Sequence, residues 1–203
     1  MIPDSYFERF STKKYRNENP IQRALIRRFV ERLHGLFIAA QPIESVLEVG
    51  CGEGFLSGYL SEKFPHIRFS GVDLDPGDVE NLRAKFPRID AHVGSAYDLS
   101  SFEGQTFDLV ICAEVLEHLE RPDAALEQIL DRRPKSVILT VPHEPFFMLS
   151  NLARGKNVTR FGNDPEHINH FGKAAFRRLL EPRIEIEALT TAYPWLLCLG
   201  HPR

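Results

Sequence analysis

The chain has 203 residues, 43% of them hydrophobic and 26% charged, the mix of an ordinary globular domain, which excludes disordered and fibrous classes. Its 25 basic and 28 acidic residues leave a net charge of −3, which argues against a broad nucleic-acid-binding surface. Cys51, Cys112 and Cys198 are too few and too scattered for a disulfide framework or a zinc cluster.

The opening Met1-Ile2-Pro3-Asp4 lacks the design of a signal peptide, and apolar runs such as Leu109 to Ala113 are strand-sized, so a cytoplasmic protein without a membrane span is expected. The stretch 6–19 mixes aromatics with Arg9, Lys13, Lys14 and Arg16 and shows no period. Pro20 follows a potential Asn19 cap, and Ile21, Leu25, Phe29, Leu33 and Leu36 recur at helical spacing, which predicts an amphipathic helix ending near Ala40. From Ser45 the texture changes to short apolar runs at 45–49, 68–72, 89–93, 107–113 and 136–141. Helical patterns lie between several of them, at 55–64, 77–86 and 122–130. That alternation predicts an α/β fold, doubly wound, with a mostly parallel sheet. The segment 142–172 is polar, rich in His and Asn, and too long for a simple connection, so it reads as a lid. After a helix near 173–180, runs at 184–191 and 194–199 lie two residues apart, which only a hairpin can accommodate, so the sheet should end with one antiparallel strand. The whole is expected to be a single domain, 1–203: a helical cover (1–40), a binding core (41–141), the lid (142–172) and a closing helix and hairpin (173–203).

The most informative segment is Glu48-Val49-Gly50-Cys51-Gly52-Glu53-Gly54, a strand running into alternate glycines and then a helix. Glycines there let backbone turn tightly and approach a ligand, although a bare turn is the bland alternative. Asp73 ends the second strand nineteen residues past Gly54, where an acid can accept both hydroxyls of a ribose; Asp75 is a weaker candidate. Together they indicate a nucleoside crevice. A dinucleotide fingerprint would need glycine at position 55, where Phe55 stands, and Glu48 beside the loop suits a ligand carrying an ammonium group better than a pyrophosphate.

With Gly71-Val72-Asp73-Leu74-Asp75 and Phe107-Asp108-Leu109-Val110-Ile111, this segment resembles the motifs of class I S-adenosylmethionine-dependent methyltransferases, and the closing hairpin resembles their sixth and seventh strands. The resemblance implies a Rossmann-like, seven-stranded sheet with S-adenosylmethionine as cofactor. It also implies that Gly50, Cys51, Gly52 and Gly54 cradle the methionine and ribose, with Glu48 at the amino group. Asp73 would hold the ribose, Leu74 would pack on the adenine, and Ser95, Ala96 and Ala113 would border the cofactor. Ser95 departs from the acid frequent at its position in the family.

Glu114, Glu117 and His118 follow the fourth strand; if Glu114 opens a helix, the other two share its face at i+3 and i+4. Such a set can act as general base or hold a divalent metal, and first-turn acids can equally well serve only the helix dipole. The lid adds His167 and His170. Glu-x-x-Glu-His with a distant His is similar to the metal site of small-RNA 2′-O-methyltransferases, and the same string occurs in ubiquinone-biosynthesis O-methyltransferases. By that resemblance Glu114, Glu117, His118 and His167 would hold magnesium or a similar ion, with His118, His167 and Glu117 as the catalytic candidates. In the lid, Phe146 is assigned to a substrate pocket and Phe147 to the core; Arg154, Lys156 and Arg160 could meet an anionic substrate or simply be solvated. The reading is O-methylation of a small-molecule acceptor. A metal-dependent RNA 2′-O-methyltransferase and a non-catalytic S-adenosylmethionine-binding protein are the alternatives, and a nicotinamide dehydrogenase is disfavoured by Phe55.

Overall fold

The computed structural model describes residues 2–155 and 157–203. Two short helices, α1 (Asp4–Phe7) and α2 (Lys13–Arg16), and the long α3 (Pro20–Ala39) precede the sheet. Then come β1 (Ser45–Val49), α4 (Phe55–Lys63), β2 (Arg68–Asp73), α5 (Pro76–Lys85), β3 (Asp90–Val93) and β4 (Leu109–Ala113). The second half holds α6 (Pro122–Asp131), β5 (Ser136–Pro142), α7 (Phe146–Ala153), α8 (Lys173–Leu180), β6 (Ile184–Ala192) and β7 (Trp195–Pro202). The strands form one seven-stranded sheet in the order β3-β2-β1-β4-β5-β7-β6. β7 is antiparallel to both neighbours and the other pairings are parallel, the arrangement the hairpin required.

Helices cover both faces because the central strands are apolar on both. Along β4, Leu109 and Ile111 enter the core shared with α3, α4 and α5, while Val110 and Cys112 enter the core shared with α6 and α8. β1 and β5 divide likewise, with Val46 and Ile138 on the first face and Leu47, Val49, Val137 and Leu139 on the second. This two-sided burial explains the continuous apolar runs that lack polar alternation.

The α3 helix buries Gln22, Ile26, Phe29, Val30, Leu33, Leu36 and Phe37, and Leu25 packs against the same core; Phe29, Leu33 and Leu36 stand as predicted, whereas Ile21, in the first turn, is 62% exposed. Gln22 is tolerated inside because its amide donates to Lys14 O and its carbonyl accepts from Asn17. Among the described residues no helix is long and apolar enough to cross a membrane.

Asn19 caps α3, its Oδ1 accepting from Ile21 N at 2.9 Å and Gln22 N at 3.3 Å. Replacing it by alanine is expected to lower stability by about 1 kcal/mol in urea denaturation without changing the m-value.

Candidate active site

Strands β1, β2 and β4 end at one level, since Val49 pairs with both Val72 and Cys112. Gly50, Asp73 and Ala113 therefore leave the sheet together at its carboxyl edge, where ligands meet open α/β sheets. Beyond β1 the chain bends through Gly50, Gly52 and Gly54 at φ of 77°, 50° and 83°. Gly50 N and Cys51 N donate to Val72 O at 2.8 and 3.1 Å, and Gly52 N donates to Asp73 Oδ2 at 2.7 Å. A Cβ on Gly50 would stand 2.2 Å from Val115 Cγ2, so both backbone and space demand glycine there. The bend walls a cavity of about 520 Å³ bordered by Tyr15, Glu48, Gly52, Asp73, Asp78 and Ala113.

Two acids beside this cavity are buried under opposite conditions. Glu48 accepts from Ser57 N at 2.9 Å, but burial dominates and pushes its carboxyl up to about 8. Burial also opposes ionisation of Glu53, yet it is outweighed. The amides and hydroxyls of Ser11 and Thr12 donate to Glu53 at 2.6–3.1 Å and Lys85 pairs with it, holding its carboxyl down to about 2. Glu53 thus straps the N-terminal segment across the glycine loop. The strap lays Tyr15 flat on Phe55, ring centroids 3.7 Å apart, and brings Lys14 into an ion pair with Glu114.

A second cavity of about 640 Å³ adjoins the first, and Lys14, Glu114, His118 and Glu166 border both. Its other walls include Lys13, Phe147, Asn151, Arg154, His167 and Trp195. Glu114 does not open a helix. It sits at φ 58°, followed by a 3₁₀ turn at Leu116–His118, so the predicted helical face is absent. Glu117, His118 and His167 nevertheless converge, offering one carboxylate oxygen and two ring nitrogens within 4.8 Å of one another. Both Glu117 oxygens are buried without a hydrogen-bond partner among the described residues. Burial, then the neighbouring Glu114 carboxylate, push the Glu117 carboxyl well above the usual range. His118 Nδ1 lies 2.8 Å from Glu166 O. A carbonyl only accepts, so Nδ1 carries the proton and Nε2 of the neutral ring is unprotonated.

Comparison with known proteins gives this geometry a family. The family model for a methyltransferase domain matches residues 46–132. The ubiquinone biosynthesis O-methyltransferase of Xanthomonas oryzae pv. oryzae is 34% identical over 162 residues, 74% of this chain and 67% of that protein. The chain belongs to the class I S-adenosylmethionine-dependent methyltransferases. The protein of the same description from Hahella chejuensis is 26% identical over 165 residues, covering 71% of this chain and 67% of its own. Magnesium protoporphyrin IX methyltransferase from Synechocystis PCC 6803, solved with bound SAH, shares the fold, with a TM-score of 0.72 at 18% identity over 98% of this chain and 94% of its own. As a member of that family, this methyltransferase takes its methyl group from S-adenosylmethionine.

Several sequence assignments change in the folded methyltransferase. Leu74, just past β2, is 68% exposed and so open to a ligand packing on it, while Ser95 is half-buried with its Oγ accepting from Tyr97 N and Ala96 is buried. Asp75 caps α5 by accepting from Gly77 N and Asp78 N, so it serves the helix, whereas Asp78, unmarked in the sequence, reaches the cavity. Glu114 stands outside the converging set: its Oε2 pairs with Lys14, and its Oε1 is buried without a hydrogen-bond partner among the described residues. His167, its ring centroid 5.0 Å from that of His118, is in the cluster, whereas His170 faces Glu144 at 4.0 Å. Of the two lid phenylalanines, Phe147 packs against the core as expected and also lines the second cavity, whereas Phe146 is 42% exposed, lies outside that lining and packs on His143 and Tyr193. Arg154 borders that cavity, held by Ser150 O and Asn151 Oδ1; Arg160 is exposed and Lys156 lies outside the described residues. The strap residue Glu53 was legible only as a charge inside the glycine motif, since its partners are some forty residues away in sequence.

Glu53 ionises more readily folded than unfolded, so its stabilisation is complete above its unfolded value of 4.5 and is lost as pH falls toward about 2. Glu53→Gln is expected to lose on the order of 3 kcal/mol at pH 7 and to weaken donor binding. In denaturation series the gap to the parent protein should narrow steadily below pH 4.5.

Proposed function

We propose that this methyltransferase methylates an oxygen of a small-molecule acceptor held in the second cavity, with His118 Nε2 as the general base. The observation that carries the reading is the shared wall. His118 borders both cavities, and Glu166 O occupies its Nδ1. The two relatives named as O-methyltransferases support oxygen as the atom methylated.

S-adenosylmethionine supplies an electrophilic methyl on a sulfonium, and its leaving group is neutral. The chain's own task is consequently alignment and exclusion of water. Glu48 receives the donor's ammonium, Asp73 the ribose hydroxyls, and Gly50, Cys51 and Gly52 pass close beneath. Tyr15 and Lys14 close the cavity from above, carried by the strap. His118 takes the acceptor's proton as the oxygen attacks, with His167 as the second base candidate beside it. Burial, and then His118, lower the His167 imidazole, which favours its neutral form.

A divalent cation also fits this corner. Glu117, His118 and His167 form a mixed oxygen and nitrogen donor set, and two buried carboxylate oxygens without partners are costly unless a proton or a cation satisfies them. When bound, a divalent cation supplies Lewis-acid activation of a hydroxyl. Glu114, paired with Lys14, is not in this donor set.

Turnover is tested by screening candidate acceptors with labelled methyl donor, with and without EDTA. His118→Ala is expected to cut turnover by about 100-fold or more while leaving donor affinity unchanged. Full turnover in that variant would remove His118 from the chemistry. If the corner holds a cation, EDTA lowers the rate and magnesium or manganese restores it; an EDTA-insensitive rate assigns the three residues to proton transfer alone.

Donor binding should also release protons. At pH 7 the Glu48 carboxyl, pushed up to about 8, is mostly protonated in the empty cavity, and an ammonium beside it drives it to ionise. Calorimetry in buffers of differing ionisation enthalpy is expected to register this release, and Glu48→Gln should abolish it.

A further inference from the structure

Among the described residues, the lid hydrogen-bonds to the active-site loop through the stretch 166–169. Ile168 N and Asn169 N both donate to Glu117 O at 2.9 Å. The side chain of Asn169 reaches back across the same loop, its Nδ2 donating to Leu119 O at 2.6 Å and to Leu116 O at 3.3 Å. Two carbonyls can be met only by the amide nitrogen, so the orientation of this side chain is forced. Within 166–170 the chain alternates: Ile168 and His170 are exposed, while His167 and Asn169 turn toward the protein. The carbonyls that Asn169 binds flank Glu117 and His118, and Glu166, three residues before Asn169, supplies the carbonyl facing His118 Nδ1.

We infer that Asn169 is a positioning residue for His118. By pinning the 166–169 turn to the carbonyls on either side of Glu117 and His118, it keeps Glu166 O on Nδ1 and so leaves Nε2, which lies 3.9 Å from Glu117 Oε1, as the unprotonated nitrogen. The inference rests on the reading of His118 as the base only for its consequence in turnover; the placement itself stands on the hydrogen bonds. The chemistry needs one nitrogen with two protons at this reach. Aspartate would set a carboxylate oxygen against two carbonyl oxygens, and alanine would leave both carbonyls without this donor. Released from Glu166 O, a neutral imidazole can place its proton on Nε2, and a nitrogen that already carries a proton cannot accept the acceptor's proton.

The test is nitrogen NMR of histidine-labelled full-length protein, treated with EDTA, comparing the parent chain with Asn169→Asp. In the parent, His118 is expected to show the proton on Nδ1, in slow exchange with water. In Asn169→Asp that preference should be lost, while calorimetric affinity for S-adenosylmethionine stays within about twofold. With an acceptor from the screen, kcat should fall by about tenfold or more at unchanged KM for the donor. A merely structural role for Asn169 would leave the His118 tautomer unaltered. Should Asn169→Asp fail to bind the donor, Asn169→Ala, which removes the donors without adding charge, is read in the same way. A parent chain with the proton on Nε2, or a variant that keeps it on Nδ1, overturns the inference. A tautomer change with undiminished turnover upholds the placement by Asn169 and instead defeats the assignment of His118 as the base.

Discussion

The parallel register of β1 against β2 and β4 is the constraint on which the site depends. It brings three strand ends to one level, so a glycine bend, the acid Asp73 and the post-β4 loop emerge as neighbours although they are distant in sequence. A slip of register would carry these loops to different levels, and the close packing of β1 and β4 side chains in the cores on both faces opposes it. The ladder that positions the loops is thereby protected by the core it runs through.

Upon this frame the chemistry is set by how each buried acid is paired. Glu53 is surrounded by donors and a lysine and becomes a fixed anion that holds the N-terminal cover. Glu48 has Ser57 N and little else, so it rests close to neutral pH, ready to respond to a cation. Glu117 has no hydrogen-bond partner among the described residues, its Oε1 lying 3.9 Å from His118 Nε2, and burial pushes its carboxyl well above the usual range. Three glutamates of one chain thus become an anchor, a responsive ligand group and an unsatisfied donor, with environment as the difference.

The strap and the lid approach the junction of the cavities from opposite sides. Lys14 arrives from the N-terminal cover and engages Glu114, while Glu166 and Asn169 arrive from the lid and engage the next turn of the same loop. The left-handed backbone at Glu114 lies between these attachments. Strain of this kind persists where surrounding contacts over-determine it, and here contacts on both flanks do so.

Period, glycine spacing and the acid after the second strand were enough to establish the sheet, its antiparallel hairpin strand and the family, because these features repeat locally within a few residues of one another. The same local rules misplaced Ile21 and read Glu114 as a helix opener, since propensity does not see which face the sheet will cover or that Lys14 will hold that carboxylate. His167 and His170 are three apart on a polar segment and equivalent by pattern; only the lid's hydrogen bonds to the loop at 116–119 point one to His118 and the other to Glu144. Linear order thus determined the architecture and the glycine loop, where neighbours along the chain are neighbours in space. Tertiary structure alone decided which acids are ionised, which histidine enters the site and what closes over it, because those outcomes depend on partners forty to a hundred residues away.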